Sequence, residues 1–238
     1  AGGYYLGRVV FEVKEDVAPI TAKNFIQLCE YHCYAGTMFR VYPSNWLVGG
    51  DFTNLDEVIY NAEDPDFFDF ASLLPDAAPG GQSIYVSEDG PYFADESFAI
   101  AHDGPGILTM YNPGAPNCNG SQFMITFPNV RAESLDGTHV AFGQVLDGWN
   151  VLAALEQLGD ARQEGDTFQR VTVEQCGVVK GRGSGSAGST MAKMCVKNGA
   201  SKRGGARRHN ATRRASRGHS SRSFRATPSL AARVAYAA

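Results

Sequence analysis

Long apolar stretches are missing from this 238-residue chain. Runs such as Ile107-Leu108 or Val178-Val179 cover a few residues, where a membrane-spanning helix needs ~20. An integral helical membrane protein is therefore excluded. Cysteine is sparse and odd in number, at five (Cys29, Cys33, Cys118, Cys176 and Cys195), so no disulfide framework is implied. Cys29 and Cys33 flank His32, but four metal ligands at a recognised spacing are absent. No internal repeat is found. Charge of each sign is scarce in one part of the chain. Residues 1–179 carry all 25 acids against seven bases, a net −18, while residues 180–238 carry 14 bases and no acid. The mild overall charge of −4 averages two polymers of opposite character.

What is present suits a globular domain over residues 1–179 followed by a tail, since 43% of the chain is hydrophobic and 11% aromatic. Gly7 to Val13 alternates Val9, Phe11 and Val13 with Arg8, Val10 and Glu12, which predicts a half-buried first strand. Ala18 to Glu30 spaces Ile20, Phe25, Ile26, Leu28 and Cys29 as a helix does, with Pro19 at its start and Thr21 as the expected cap. Further strands are predicted at 38–41, 47–50, 106–110, 122–127, 140–146 and 171–176. A second helix over 149–158 stops at Gly159. Many short strands with only two helices predict a mainly β fold, a closed or nearly closed barrel with helices over its ends.

Two segments depart from this pattern. Residues 54–79 hold seven acids, no base, and the aromatics Tyr60, Phe67, Phe68 and Phe70. That insertion is expected to be either a solvated loop or a docking surface in which acids steer and aromatics anchor. The tail over 180–238 opens as a Gly/Ser linker and continues rich in Arg, Ser, Ala and Gly, a composition expected to stay unstructured and non-globular. It could neutralise nucleic-acid phosphates, wrap an acidic partner, or be a misplaced transit-like sequence beginning at Met191. Together with the Ala1-Gly2-Gly3 start, the last reading raises an organellar location.

Eight blocks in order carry a resemblance: GRVVFEV, APITAKNFIQLC, YAGTMFRVYP, GGDFT, GPGILTM, NGSQFMIT, LDGTHVAFGQVLDGWNVL and VTVEQCG. Over about residues 7–179 the chain resembles the cyclophilins, a group of peptidyl-prolyl cis-trans isomerases. The resemblance implies an eight-stranded antiparallel barrel capped by two helices, no cofactor or metal, and a proline-containing peptide or protein client. Rotation about an Xaa-Pro amide meets a resonance barrier of ~18–20 kcal/mol. An enzyme lowers it by holding the proline ring in an apolar pocket while a charged donor stabilises the pyramidal nitrogen of the twisted state. Arginine suits that task because its fork of N–H donors stays protonated.

The resemblance places Arg40 as the catalytic arginine, Trp46, Met124, Leu135 and His139 around the proline pocket, and Val48, Tyr111, Asn112 and Gln122 along the substrate groove. Asn112 and Gln122 are expected either to bind substrate backbone or to stabilise Gly-rich turns. Several positions depart from the family. FRVYP is one residue short, which leaves the face of Arg40 open. Asn45, Trp46 and Val48 replace phenylalanine, methionine and glutamine, and that glutamine orients the arginine in the family. Tyr111 replaces an alanine, and Ser134 replaces a tryptophan that holds cyclosporin, so weak cyclosporin binding is expected. Three functions follow: an active isomerase, a proline-binding module without turnover, or a structural subunit of a protein or ribonucleoprotein assembly held by the insertion and basic tail.

Overall fold

The alternation that marks Gly7 to Val13 extends further in the structure, a computed structural model that describes residues 4–52, 81–87, 90–112, 114–128, 132–162, 165–179 and 189–199. Strand β1 covers Tyr4–Lys14 and turns Val9, Phe11 and Val13 inward. Helix α1 (Pro19–Glu30) follows. Strands β2 (Arg40–Tyr42), β3 (Trp46–Gly49), β4 (Ile107–Met110), β5 (Phe123–Thr126) and β6 (Ala141–Asp147) come next, then helix α2 (Trp149–Leu158) and strand β7 (Val171–Val178). Met38, expected inside the second strand, forms only a single bridge to Thr172.

The eighth strand is β8, Ser189–Asn198, from the segment expected to be unstructured tail. Composition argued against a strand there, yet Ala192, Met194 and Val196 alternate and are buried. Short period-two apolar sets need a neighbour on each side to be worth ordering. Here β8 lies antiparallel between β1 and β7, with Phe11 opposite Ala192 and Cys176 opposite Met194. The acidic insertion with Tyr60, Phe67, Phe68 and Phe70, and the tail beyond Gly199, lie outside the described residues.

All strand pairs are antiparallel in the order β2-β3-β5-β4-β6-β1-β8-β7. The sheet curls until the residues leading into β2 meet β7: Gly36 N–H donates to Val173 O and Phe39 N–H to Val171 O. Inside the curl, Phe25 of α1 meets Phe11, Tyr34, Phe123 and Phe142 at ring-centre distances of 5.3–6.0 Å. Such pairs add ~0.5–1.5 kcal/mol each beyond the area they bury.

The cap of α1 differs from expectation. Ala18 occupies the cap position, and Thr21 lies inside the first turn. Glu96, from a distant loop, takes the cap's place by accepting from Ile20 N–H (2.8 Å), Thr21 N–H (2.9 Å) and the Thr21 hydroxyl (3.0 Å). A carboxylate there satisfies orphan N–H groups and complements the positive end of the helix dipole. Gly159 ends α2 as predicted, but for a packing reason. Its backbone is extended, and a Cβ would sit 2.6 Å from Val41 and 2.7 Å from Pro43, so glycine lets α2 press on β2.

Candidate active site

Register decides what surrounds Arg40. β2 pairs with β3 so that Arg40 opposes Val48, while the next residue, Val41, is wholly buried on the inner face. Val48 in turn opposes Met124 on β5, and Met124 opposes Thr109 on β4. One row of side chains thus crosses four strands on the outer face of the curled sheet, with Arg40 at its rim. The register places Arg40 on the outer face and Val41 on the inner one, which settles the face that the sequence left open.

Over this row lies a small apolar cluster separate from the main core. Val48, Met124, Ala132 and Leu135 are buried in it, with Tyr42, Trp46 and Tyr111 packed against it. Val48, expected along the groove, is only 1% exposed and belongs to this cluster. Trp46 tilts against Tyr42 with ring centres 6.4 Å apart. Leu135 ends a one-turn 3-10 helix, Glu133–Leu135. Asn45 sits exposed in the β2–β3 turn, and Ser134 is exposed on the 3-10 helix.

Arg40 is held from two sides. Its guanidinium donates to Oε1 of Gln122, the residue just before β5, and its Cζ lies 5.1 Å from the centre of the Tyr111 ring. A side-chain amide fixes one edge of the fork and the aromatic face attracts the cation. Tyr111 and Gln122 are tied to each other by a backbone hydrogen bond of 3.0 Å. Gln122 and Tyr111 thus hold the guanidinium, whereas the apolar Val48 opposite Arg40 offers it no hydrogen bond. Neither pairing is visible in spacing along the chain, since Gln122 lies 82 residues from Arg40.

Asn112 spends both ends of its amide on loops, donating to Thr138 O (3.0 Å) and accepting from Gly114 N–H (3.1 Å). It joins the loops on either side of the cluster. His139 bonds through Nδ1 to Met110 O (3.1 Å), which makes Nδ1 the protonated nitrogen of the neutral ring. Burial holds its pKa below the ordinary histidine value, which favours the neutral ring.

Sequence reading missed a second layer. His102, wholly buried, bonds through Nδ1 to Asp136 Oδ1 (2.7 Å) and through Nε2 to Thr109 Oγ1 (3.0 Å). Its backbone N–H also donates to Asp136 (2.8 Å), and its carbonyl accepts from Ala132 N–H (3.0 Å). The hydrogen bonds from His102 hold the Asp136 carboxyl below its ordinary pKa. This network pins the 132–139 segment, which carries Leu135 and His139, to the strand that carries Thr109. The 34-residue gap between His102 and Asp136 left no local signal.

The curled antiparallel sheet and two helices define a mainly β domain that carries an apolar patch with an oriented cation at its edge. The family model described as cyclophilin type peptidyl-prolyl cis-trans isomerase/CLD matches residues 2–178. The chain belongs to that family. The match ends before β8 begins.

Proposed function

We propose that this chain is an active peptidyl-prolyl cis-trans isomerase with Arg40 as its catalytic residue. The proline ring of a client rests on Met124, Leu135, Trp46 and the neutral His139. The guanidinium of Arg40 donates to the proline nitrogen as it pyramidalises, which weakens the amide resonance that sets the barrier. Only one edge of the fork is used by Gln122, and an arginine has five N–H donors, so the cation keeps others for substrate. The observation that carries this reading is the double support of Arg40 by Gln122 and Tyr111. A donor already held in place loses little rotamer freedom when the twisted state forms.

The test is exchange spectroscopy on a panel of Xaa-Pro peptides, which reports binding and cis-trans interconversion together. Acceleration by the wild type that vanishes in Arg40→Ala is the expected result. Peptide shifts without faster exchange would instead make the domain a proline-binding module.

A further inference from the structure

The chain leaves the sheet beside the Arg40 site. Strand β8 ends at Asn198 opposite Val171, and Gly199 N–H donates to Arg170 O (2.7 Å). Val171 O in turn accepts from Phe39 N–H (3.0 Å). Two backbone hydrogen bonds, across Arg170 and Val171, thus join the start of the tail to the residue before Arg40. Acids flank the apolar patch. Glu133 and Asp136 are exposed on either side of Leu135 in the chain. Asp166 is exposed next to Gly165, whose carbonyl oxygen accepts from Val41 N–H (3.2 Å). Arg162 and Arg170 lie on that side too, but residues 1–179 as a whole carry a net −18. Residues 200–238 carry ten bases, no acid and one proline, Pro228.

We propose, on the reading of the Arg40 site as a proline-binding groove, that Thr227-Pro228 is the chain's own ligand for it, which outside clients must displace. Pro228 enters the apolar cluster of Val48, Met124 and Leu135, and the Arg40 guanidinium faces the amide that joins Thr227 to Pro228. Twenty-eight residues separate Gly199 from Pro228. A chain of that length spans up to ~95 Å, so reach is no constraint. Tethering makes capture intramolecular, at an effective concentration on the order of millimolar, so a weak contact suffices. Ala226, Thr227 and Ser229 are small, which suits a groove where the Tyr111 ring lies 5.1 Å from Cζ of Arg40 and crowds whatever flanks the proline. Arg222 and Arg225 precede Pro228 by six and three residues and meet the acidic rim of Glu133, Asp136 and Asp166. Pro65 and Pro75 of the insertion have aspartates beside them (Asp64, Asp66 and Asp76), which the same rim repels.

The experiment compares the full chain with full-length Pro228→Ala by NMR, following the Met124 methyl and the Trp46 indole N–H, alongside exchange spectroscopy on an external Xaa-Pro peptide. Pro228→Ala should move both signals. It should also lower KM for the external peptide about twofold or more with kcat unchanged, as expected when a site at least half filled by its own ligand is freed. A synthetic peptide of residues 221–232 should return the Pro228→Ala signals toward those of the wild type, and high salt should move the wild type toward Pro228→Ala. If no form accelerates exchange but the signals still move, the isomerase reading fails and the ligand assignment stands. Acceleration with the same KM and unmoved signals in Pro228→Ala overturns the proposal and leaves the enzyme intact. Signals that change with protein concentration would put the tail of a second copy in the site and overturn it as well. A tail that binds RNA and leaves Met124 unmoved overturns it too.

Discussion

Arg40 opens β2 and Gln122 stands one residue before β5, yet the guanidinium of the first donates to the side-chain carbonyl of the second across the intervening β3. The bond supports the arginine from a different strand, where the apolar Val48 opposite Arg40 offers no acceptor. With Arg40 proposed as the catalytic residue, Gln122 is proposed as its positioning residue. Gln122→Ala is expected to lower kcat/KM about tenfold and Arg40→Ala about a hundredfold, the scale on which oriented donors act. Gln122→Ala should act mainly on kcat, because the apolar cluster proposed to receive proline is left intact. An unchanged kcat in Gln122→Ala would show that Tyr111 alone holds the arginine.

Cyclosporin binding should be weak. Ser134 is exposed on the 3-10 helix beside Leu135 and offers neither the area nor the N–H of an indole. Titration by calorimetry is the check, with Ser134→Trp expected to tighten binding and wild-type submicromolar affinity counting against the assignment.

Strand β8 is expected to be indispensable, although it lies beyond residue 178 where the family match ends. A chain ended after Val179 exposes the facing edges of β1 and β7 and should lose cooperative unfolding. A chain ended after Gly199 should melt as the full chain does. Met194→Ala, at a site 1% exposed, should cost about 2–5 kcal/mol in urea unfolding.

Glu96 acts on α1 from 75 residues away. Glu96→Ala removes the acceptor for the first-turn N–H groups and is expected to cost about 1–2 kcal/mol, in line with loss of a helix cap. Thr21→Ala should cost less, because the Thr21 hydroxyl donates to Glu96 and does not cap the helix.

Two groups set the pH response of the pocket. His139 has a folded pKa below its ordinary 6.5, so the unfolded chain takes up that proton first and stability falls as pH drops through 6.5 toward the folded value. Asp136 has a folded pKa below its ordinary 3.8, so its contribution is full above that value and is lost as pH falls through the folded one. Unfolding free energy should therefore be flat above neutrality and decline in mildly acidic buffer. His139→Phe, which cannot protonate, should remove the first decline. Urea unfolding followed across pH reads both.

Period and punctuation in the chain specified seven of the strands, both helices and the family blocks, because strand alternation and helical spacing are local properties that hydrophobic burial reads directly. The resemblance carried by those blocks, rather than any periodicity, named Arg40, Met124, Leu135 and His139 as a set. The remaining decisions belong to the tertiary structure. Ala192, Met194 and Val196 are too few and too close to a basic run to announce a strand, and only the open place between β1 and β7 makes them one. Gln122 finds Arg40, Glu96 finds the start of α1 and His102 finds Asp136 at separations of 34 to 82 residues. No local pattern encodes such pairs; sheet register and helix docking bring them within hydrogen-bonding reach.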